Sequence, residues 1–213
     1  MVVNLIQNLA KIGYRASTLG LEKGPHITRY YMYNHISKYC ESRPCEHRVL
    51  SISESGYLAN LLGYDDNQIT DLTYPDVNVL DLPLQDEQFD AVVSDQVLEH
   101  IEGNPYTAFG ETFRILKPGG IAVHTTCFIN PIHATPNDFW RFTPDALKLL
   151  ACEHGEVIDV GGWGNPFIWV YNALGLRFEL IPHANWHPGH WVATKNVERW
   201  PMVTWVLARK SYG

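Results

Sequence analysis

The 213-residue sequence contains no apolar run of 18 or more residues, the length a membrane-crossing helix requires. No span is therefore expected. Cysteine is scarce: four residues, at positions 40, 45, 127 and 152. So thin a scatter excludes a disulfide-built scaffold. No small-residue cleavage site follows the short apolar run in "MVVNLIQNLAKIGYR". A secretory leader is not expected, and reduced thiols in a cytoplasmic protein are. Positive charge is also short, with 16 Lys and Arg against 23 Asp and Glu, a net charge of −7. Nothing supplies a broad basic field, so neither general nucleic-acid binding nor anionic-membrane binding is expected, and only a small local basic pocket stays compatible. There is no internal repeat and no low-complexity segment.

What is present is an ordinary globular composition, 46% hydrophobic and 18% charged, in a chain long enough for one domain with a substantial core. Residues 1–24 end in the turn-rich "GLEKGP" and read as an arm. "HITRYYMYNHISKYC" follows with a helical apolar face, and together they form an N-terminal arm and helix over 1–47. The main domain covers 48–213, with a Trp-, Pro- and His-rich elaboration from about residue 162 that is expected to close the end of its sheet. "RVLSIS", "QITDLTY" and "FDAVVS" have the apolar content of strands, the last continuous enough for a sheet covered on both faces. Asn104 and Pro105 open a helix with Tyr106, Phe109, Phe113 and Leu116 at helical spacing, and Pro118-Gly119-Gly120 ends it. "IAVHTTCF" resumes a strand, and Thr143-Pro144 opens another helix. This alternation predicts a doubly wound, Rossmann-like α/β fold, a mostly parallel sheet with helices on both faces. Such sheets bind ligands beyond the carboxyl ends of their strands. Ser53–Gly56, Asp71 and Ser94–Gln96 should therefore surround one crevice.

The turn after the first strand, "SISESG", has Gly56 as its one glycine. It lacks the G-x-G-x-x-G spacing that a pyrophosphate needs, which disfavours a nicotinamide-dependent dehydrogenase. A carboxylate about 20 residues beyond such a turn commonly binds ribose hydroxyls, which makes Asp71 a candidate. The plainer alternative is a solvated aspartate at a strand end.

"FDAVVSDQVLEHI" followed by "RILKPGGIAVHTT" resembles the class I methyltransferases that use S-adenosylmethionine. "NVLDLPLQDEQFDAVV" looks like the same family, of the methyltransferase type 11 kind. "PIHATPNDFWRFTPDAL" with "GGWGN" is similar to a bacterial branch linked to surface-polysaccharide synthesis. These segments cover residues 48 to about 165. The resemblance implies S-adenosylmethionine as cofactor and puts Ser51, Ser53, Glu54, Ser55 and Gly56 where the family has an acidic, glycine-rich loop. It matches Asp71 to the ribose-binding acid, and Asn78, Val79 and Leu80 to the segment beside adenine, where the family usually has Asp at the position of Asn78. Ser94, Asp95 and Gln96 fall near the sulfonium. Ser51 replaces the family's acid, and Ser53 and Ser55 replace its glycines. Glu54 could then supply the lost charge and pair with the cofactor ammonium.

Methyl transfer to a hydroxyl needs alignment, exclusion of water and a group that takes the proton. In "HATPNDFWRFT", His133 offers an imidazole that titrates close to neutrality, and Asp138 could orient it. Trp140 offers a stacking face for a sugar, and Arg141 could hold a carboxylate or phosphate. The plainer alternative makes Trp140 and Phe142 core, pairs Arg141 with Asp138 and leaves His133 a satisfied loop residue. His100 is the reserve base, with a structural or cofactor-packing role expected first. No metal is expected: Cys40, Cys45 and His47 fit no zinc spacing, and His183, His187 and His190 lie in a loop without a carboxylate, where a lid or packing role fits better. The expected function is O-methylation of a sugar or other small-molecule acceptor, in surface-polysaccharide synthesis. The alternative is a non-catalytic, methyltransferase-like binding or scaffold protein, which the serine-substituted loop motivates.

Overall fold

The structure is a computed structural model that describes residues 2–134 and 136–212. Along the chain come α1 (Val2–Ser17), β1 (Lys23–His26), α2 (Ile27–Ile36), β2 (Val49–Ile52), α3 (Gly56–Leu61) and β3 (Ile69–Leu72). Next are β4 (Phe89–Asp95), α4 (Pro105–Ile115), β5 (Leu116–Cys127), α5 (Pro144–Cys152) and β6 (Gly155–Trp163). Last are α6 (Phe167–Ala173), β7 (Leu180–Pro182), α7 (Pro188–Thr194) and β8 (Val203–Lys210). The chain forms two compact units: Met1–His35 with Trp163–Met202, and Ile36–Gly162 with Val203–Gly213. The Trp- and His-rich segment thus groups with the N-terminal residues.

The larger unit is built on a six-stranded sheet of order β3-β2-β4-β5-β8-β6. β3, β2, β4 and β5 run parallel, and β8 pairs antiparallel with β5. This is the expected mostly parallel α/β sheet flanked by helices. The strand interiors Leu50, Val92 and Ala122 are buried, together with Phe109 and Phe113 of α4 and Leu147 and Leu150 of α5. Both helices start as their caps dictate. The Asn104 side chain accepts from the Tyr106 N–H and that of Thr143 from the Ala146 N–H, each with Pro at the first helical position. The register sets Ser51 beside Asp71 and Val93, Ser94 beside His124, and Asp95 beside Thr125.

The smaller unit contains the antiparallel β1–β7 pair and helices α1, α6 and α7. Trp163 is fully buried and stacks on Tyr31 at 6.0 Å. The three clustered histidines are tied into its packing. Tyr30 Oη lies 2.9 Å from His183 Nδ1 and 3.3 Å from His190 Nδ1. His187 caps α7, its Nδ1 accepting from the Gly189 N–H at 3.0 Å.

Candidate active site

The carboxyl ends of β2, β3 and β4 open on a cavity of about 580 Å³ in the larger unit, a volume suited to a small molecule. Ile52, Ser53 and Glu54 line it after β2, and Thr73, Tyr74, Val77, Asn78 and Val79 after β3. Asp95, Gln96 and Val97 follow from β4, then His100 to Glu102, with Asn137 and Phe139 completing the wall.

Ser53 (φ 54°), Glu54 (φ 61°) and Gln96 (φ 59°) all hold left-handed backbone. L-residues with a Cβ avoid this region at a cost of about 1–2 kcal/mol each. Three such residues on one cavity mark a turn shape retained against local strain, as functional sites often show. Hydrogen bonds hold it. The Ser53 N–H donates to Leu72 O at 2.9 Å. The buried Ser55 hydroxyl donates to Ile52 O at 2.6 Å and accepts from the Asp95 N–H at 2.7 Å, joining the turns after β2 and β4. Asp71 accepts from the Ser51 hydroxyl, from the Glu54 N–H at 3.0 Å and from the Thr73 hydroxyl at 2.7 Å.

Of the residues expected at the cofactor, Ser53, Glu54, Asn78, Val79, Asp95 and Gln96 line the cavity. Gly56 and Asp71 line an adjoining shallow hollow that also includes Glu54. Ser51, Ser55 and Ser94 are buried, Ser94 with its hydroxyl 2.7 Å from His124 Nδ1. Leu80 is not part of the cavity wall; its N–H donates to the Asn78 side chain at 3.0 Å.

The two candidate bases occupy different places. His100 lines the cavity and His133 does not. Their rings are 5.0 Å apart, edge to face. His100 Nδ1 contacts the Asn137 carbonyl closely. A carbonyl only accepts, so Nδ1 carries a hydrogen, which leaves Nε2 as the nitrogen that can exchange a proton. His133 is held by acids on both sides: Nδ1 lies 3.3 Å from Asp138 Oδ2, and Nε2 lies 3.6 Å from Glu99 Oε1. Asp138 also accepts from the His133 N–H at 2.9 Å and takes both arms of the Arg141 guanidinium. Arg141 beside it holds the Asp138 carboxyl well below the usual carboxylate range. Trp140 Nε1 donates to Ile101 O at 2.9 Å, and the ring packs on Phe142 at 6.1 Å. Trp140 and Arg141, expected at the substrate, thus brace the segment whose neighbours Asn137 and Phe139 line the cavity. Glu99, Cys127 and His133 each bring one metal-ligating atom within 4.8 Å of the others. Burial, and next the Glu99 charge, push the Cys127 thiol up to about 12.

Sequence reasoning missed Thr73, Tyr74, Val97, Asn137 and Phe139. Thr73 had a signal, since it stands two residues after Asp71, the side-chain period of an extended segment. Asn137 and Phe139 had none, because the fold of a loop after β5 decides where they point.

Residues 34–124 match the family described as a methyltransferase domain. A probable S-adenosylmethionine-dependent methyltransferase of Mycolicibacterium smegmatis is 31% identical over 124 residues, covering 54% of this chain and 47% of that protein. The chain thus spans about half the length of that curated relative. Among solved structures, a chain in the complex of the Haloferax volcanii Trm112 methyltransferase activator with a methyltransferase superposes with TM-score 0.56 at 16% identity, over 87% of this chain and 91% of that one. Haemonchus contortus phosphoethanolamine N-methyltransferase 2, solved with S-adenosyl-L-methionine, gives 0.53 at 13% identity, over 85% and 52%. The fold is the Rossmann-like fold of these solved structures.

Proposed function

We propose that this protein is an S-adenosylmethionine-dependent O-methyltransferase acting on a hydroxyl of a sugar or another small polar acceptor, within surface-polysaccharide synthesis. The observation that carries the proposal is His100, with Nε2 left to exchange a proton, on the same cavity as the left-handed Ser53–Glu54 turn. When bound, the cofactor supplies a methyl group on a positively charged sulfur. The cavity fits it chemically: it is large enough, apolar at Val77, Val79 and Val97, and acidic at Glu54 and Asp95. Glu54 would pair with the ammonium and Asp71, with Thr73 beside it, would hold the ribose. Asn78 and Val79 would serve the adenine, and Asp95 and Gln96 the end that carries the sulfur. His100 takes the acceptor's proton at Nε2, while Asn137 O fixes the ring. The polysaccharide setting rests on the likeness of "HATPNDFWRFT" and "GGWGN" to that bacterial branch.

The test is turnover with methyl-labelled cofactor across a panel of saccharide acceptors. His100→Ala should lower turnover by about 10²–10⁴, the usual loss for a general base. Full turnover in that variant would reject His100 as base and return the role to His133. The second reading, a binding protein without catalysis, is favoured by the serines at 53 and 55 and by the three donors already on Asp71. A chain that binds neither cofactor nor its demethylated product would remove the catalytic reading in its favour.

A further inference from the structure

Helix α1 is packed inside out. Leu5, Ile6, Leu9 and Ile12 share one face at i, i+4 and i+7 spacing, and an apolar face of this kind normally turns inward. Here it faces solvent, with Leu5 and Leu9 each 60% and Ile12 65% exposed. The opposite face makes the contacts. Gln7 Nε2 donates to Ala173 O at 3.0 Å, Tyr14 Oη to Leu180 O at 3.0 Å, and Arg15 grips Glu179 at 2.7 Å. The residues around those anchors are exposed and apolar as well. Phe178, beside Glu179, is 74% exposed. Trp186, 69% exposed, packs on His187 at 5.7 Å, and His187 packs on Tyr14 at 5.3 Å.

Charge follows the same division. The unit of Met1–His35 and Trp163–Met202 has seven Lys and Arg against three Glu, a net +4. The other unit has nine basic and twenty acidic residues, a net −11. Helix α1 has two basic residues and no acid. The overall −7 hides a cationic unit that presents an apolar stripe and exposed aromatics.

We propose that α1 and the aromatic residues beside it form a binding surface for an anionic lipid bilayer, with α1 lying in the interface. Apolar side chains on one face, exposed Trp and an excess of positive charge are what interfacial helices use. No helix of the described residues is long and apolar enough to cross a membrane. A second copy of the chain is the poorer occupant, because pairing these surfaces would set +4 against +4.

The test is flotation of the full chain with vesicles of phosphatidylcholine alone or phosphatidylcholine with phosphatidylglycerol, with Trp emission read in parallel. Binding is expected only with phosphatidylglycerol, with blue-shifted emission, and weaker at high salt. Leu9→Gln with Ile12→Gln should keep the far-UV spectrum and melting temperature and lower partitioning by about tenfold or more. Absence of wild-type binding, or equal binding by the variant, would overturn the proposal. So would a wild-type dimer in sedimentation that the variant converts to monomer, which would assign the stripe to a second copy.

Discussion

Ser53 and Glu54 stand in succession with left-handed backbone, in the turn that carries the cofactor proposal. A glycine would adopt that conformation without steric cost. Ser53→Gly should therefore raise stability to urea by about 0.5–1 kcal/mol, the part of a penalty of about 1–2 kcal/mol that survives glycine's own entropic cost. Ser53→Val should lower it, because a branched side chain fits the left-handed region worse. A loss of stability on Ser53→Gly would mean that the serine contributes interactions worth more than the strain. The serines and Glu54 could be read from the sequence as an altered loop. Ser53 is left-handed where a family glycine is missing, but Glu54 shares that geometry and Ser55, the other replaced glycine, does not (φ −83°).

Strand β5 shows why local pattern reaches only so far. Both helix starts, at Asn104-Pro105 and Thr143-Pro144, follow from capping chemistry and are where the sequence puts them. The strand "IAVHTTCF" is also present, yet β5 begins earlier, at Leu116, with Gly119 at φ 78° inside it. The Pro118-Gly119-Gly120 triplet reads as a helix stop, but Leu116 is drawn into pairing with Phe89 of β4, a tertiary contact. At the other end of β5, His133 meets Glu99 and Asp138, from segments far apart and near in sequence respectively. The Asp138 contact was legible because five residues separate the pair. The Glu99 contact needs β4 and β5 side by side. Cys127 ends this strand in burial, and its thiol, pushed up to about 12, should be inert. Under native conditions Cys40, Cys45 and Cys152 should react with a thiol reagent and Cys127 only after unfolding. Four fast thiols would show that the end of β5 is open to solvent.

At the scale of the whole molecule, the chain leaves its α/β unit at residue 162 and returns at 203 to insert β8 between β5 and β6. No local signal announces that return. The strand it completes buries His124, whose imidazole is held down to about 4 by loss of hydration. In the unfolded chain a histidine takes its proton near 6.5, so between about 6.5 and 4 the unfolded state binds the extra proton. Stability should be at its full value above about pH 6.5 and fall by about 3 kcal/mol towards pH 4 from this residue alone. Urea unfolding against pH should lose that component in His124→Gln, and an unchanged slope would clear His124 of the effect. The central claim joins this fold to one bound cofactor, and calorimetric titration with S-adenosylhomocysteine tests it most directly. One molecule should bind per chain, and Asp71→Ala should weaken binding roughly ten- to hundred-fold through loss of a charged hydrogen-bond partner. A folded wild-type chain that takes up no S-adenosylhomocysteine would contradict the account.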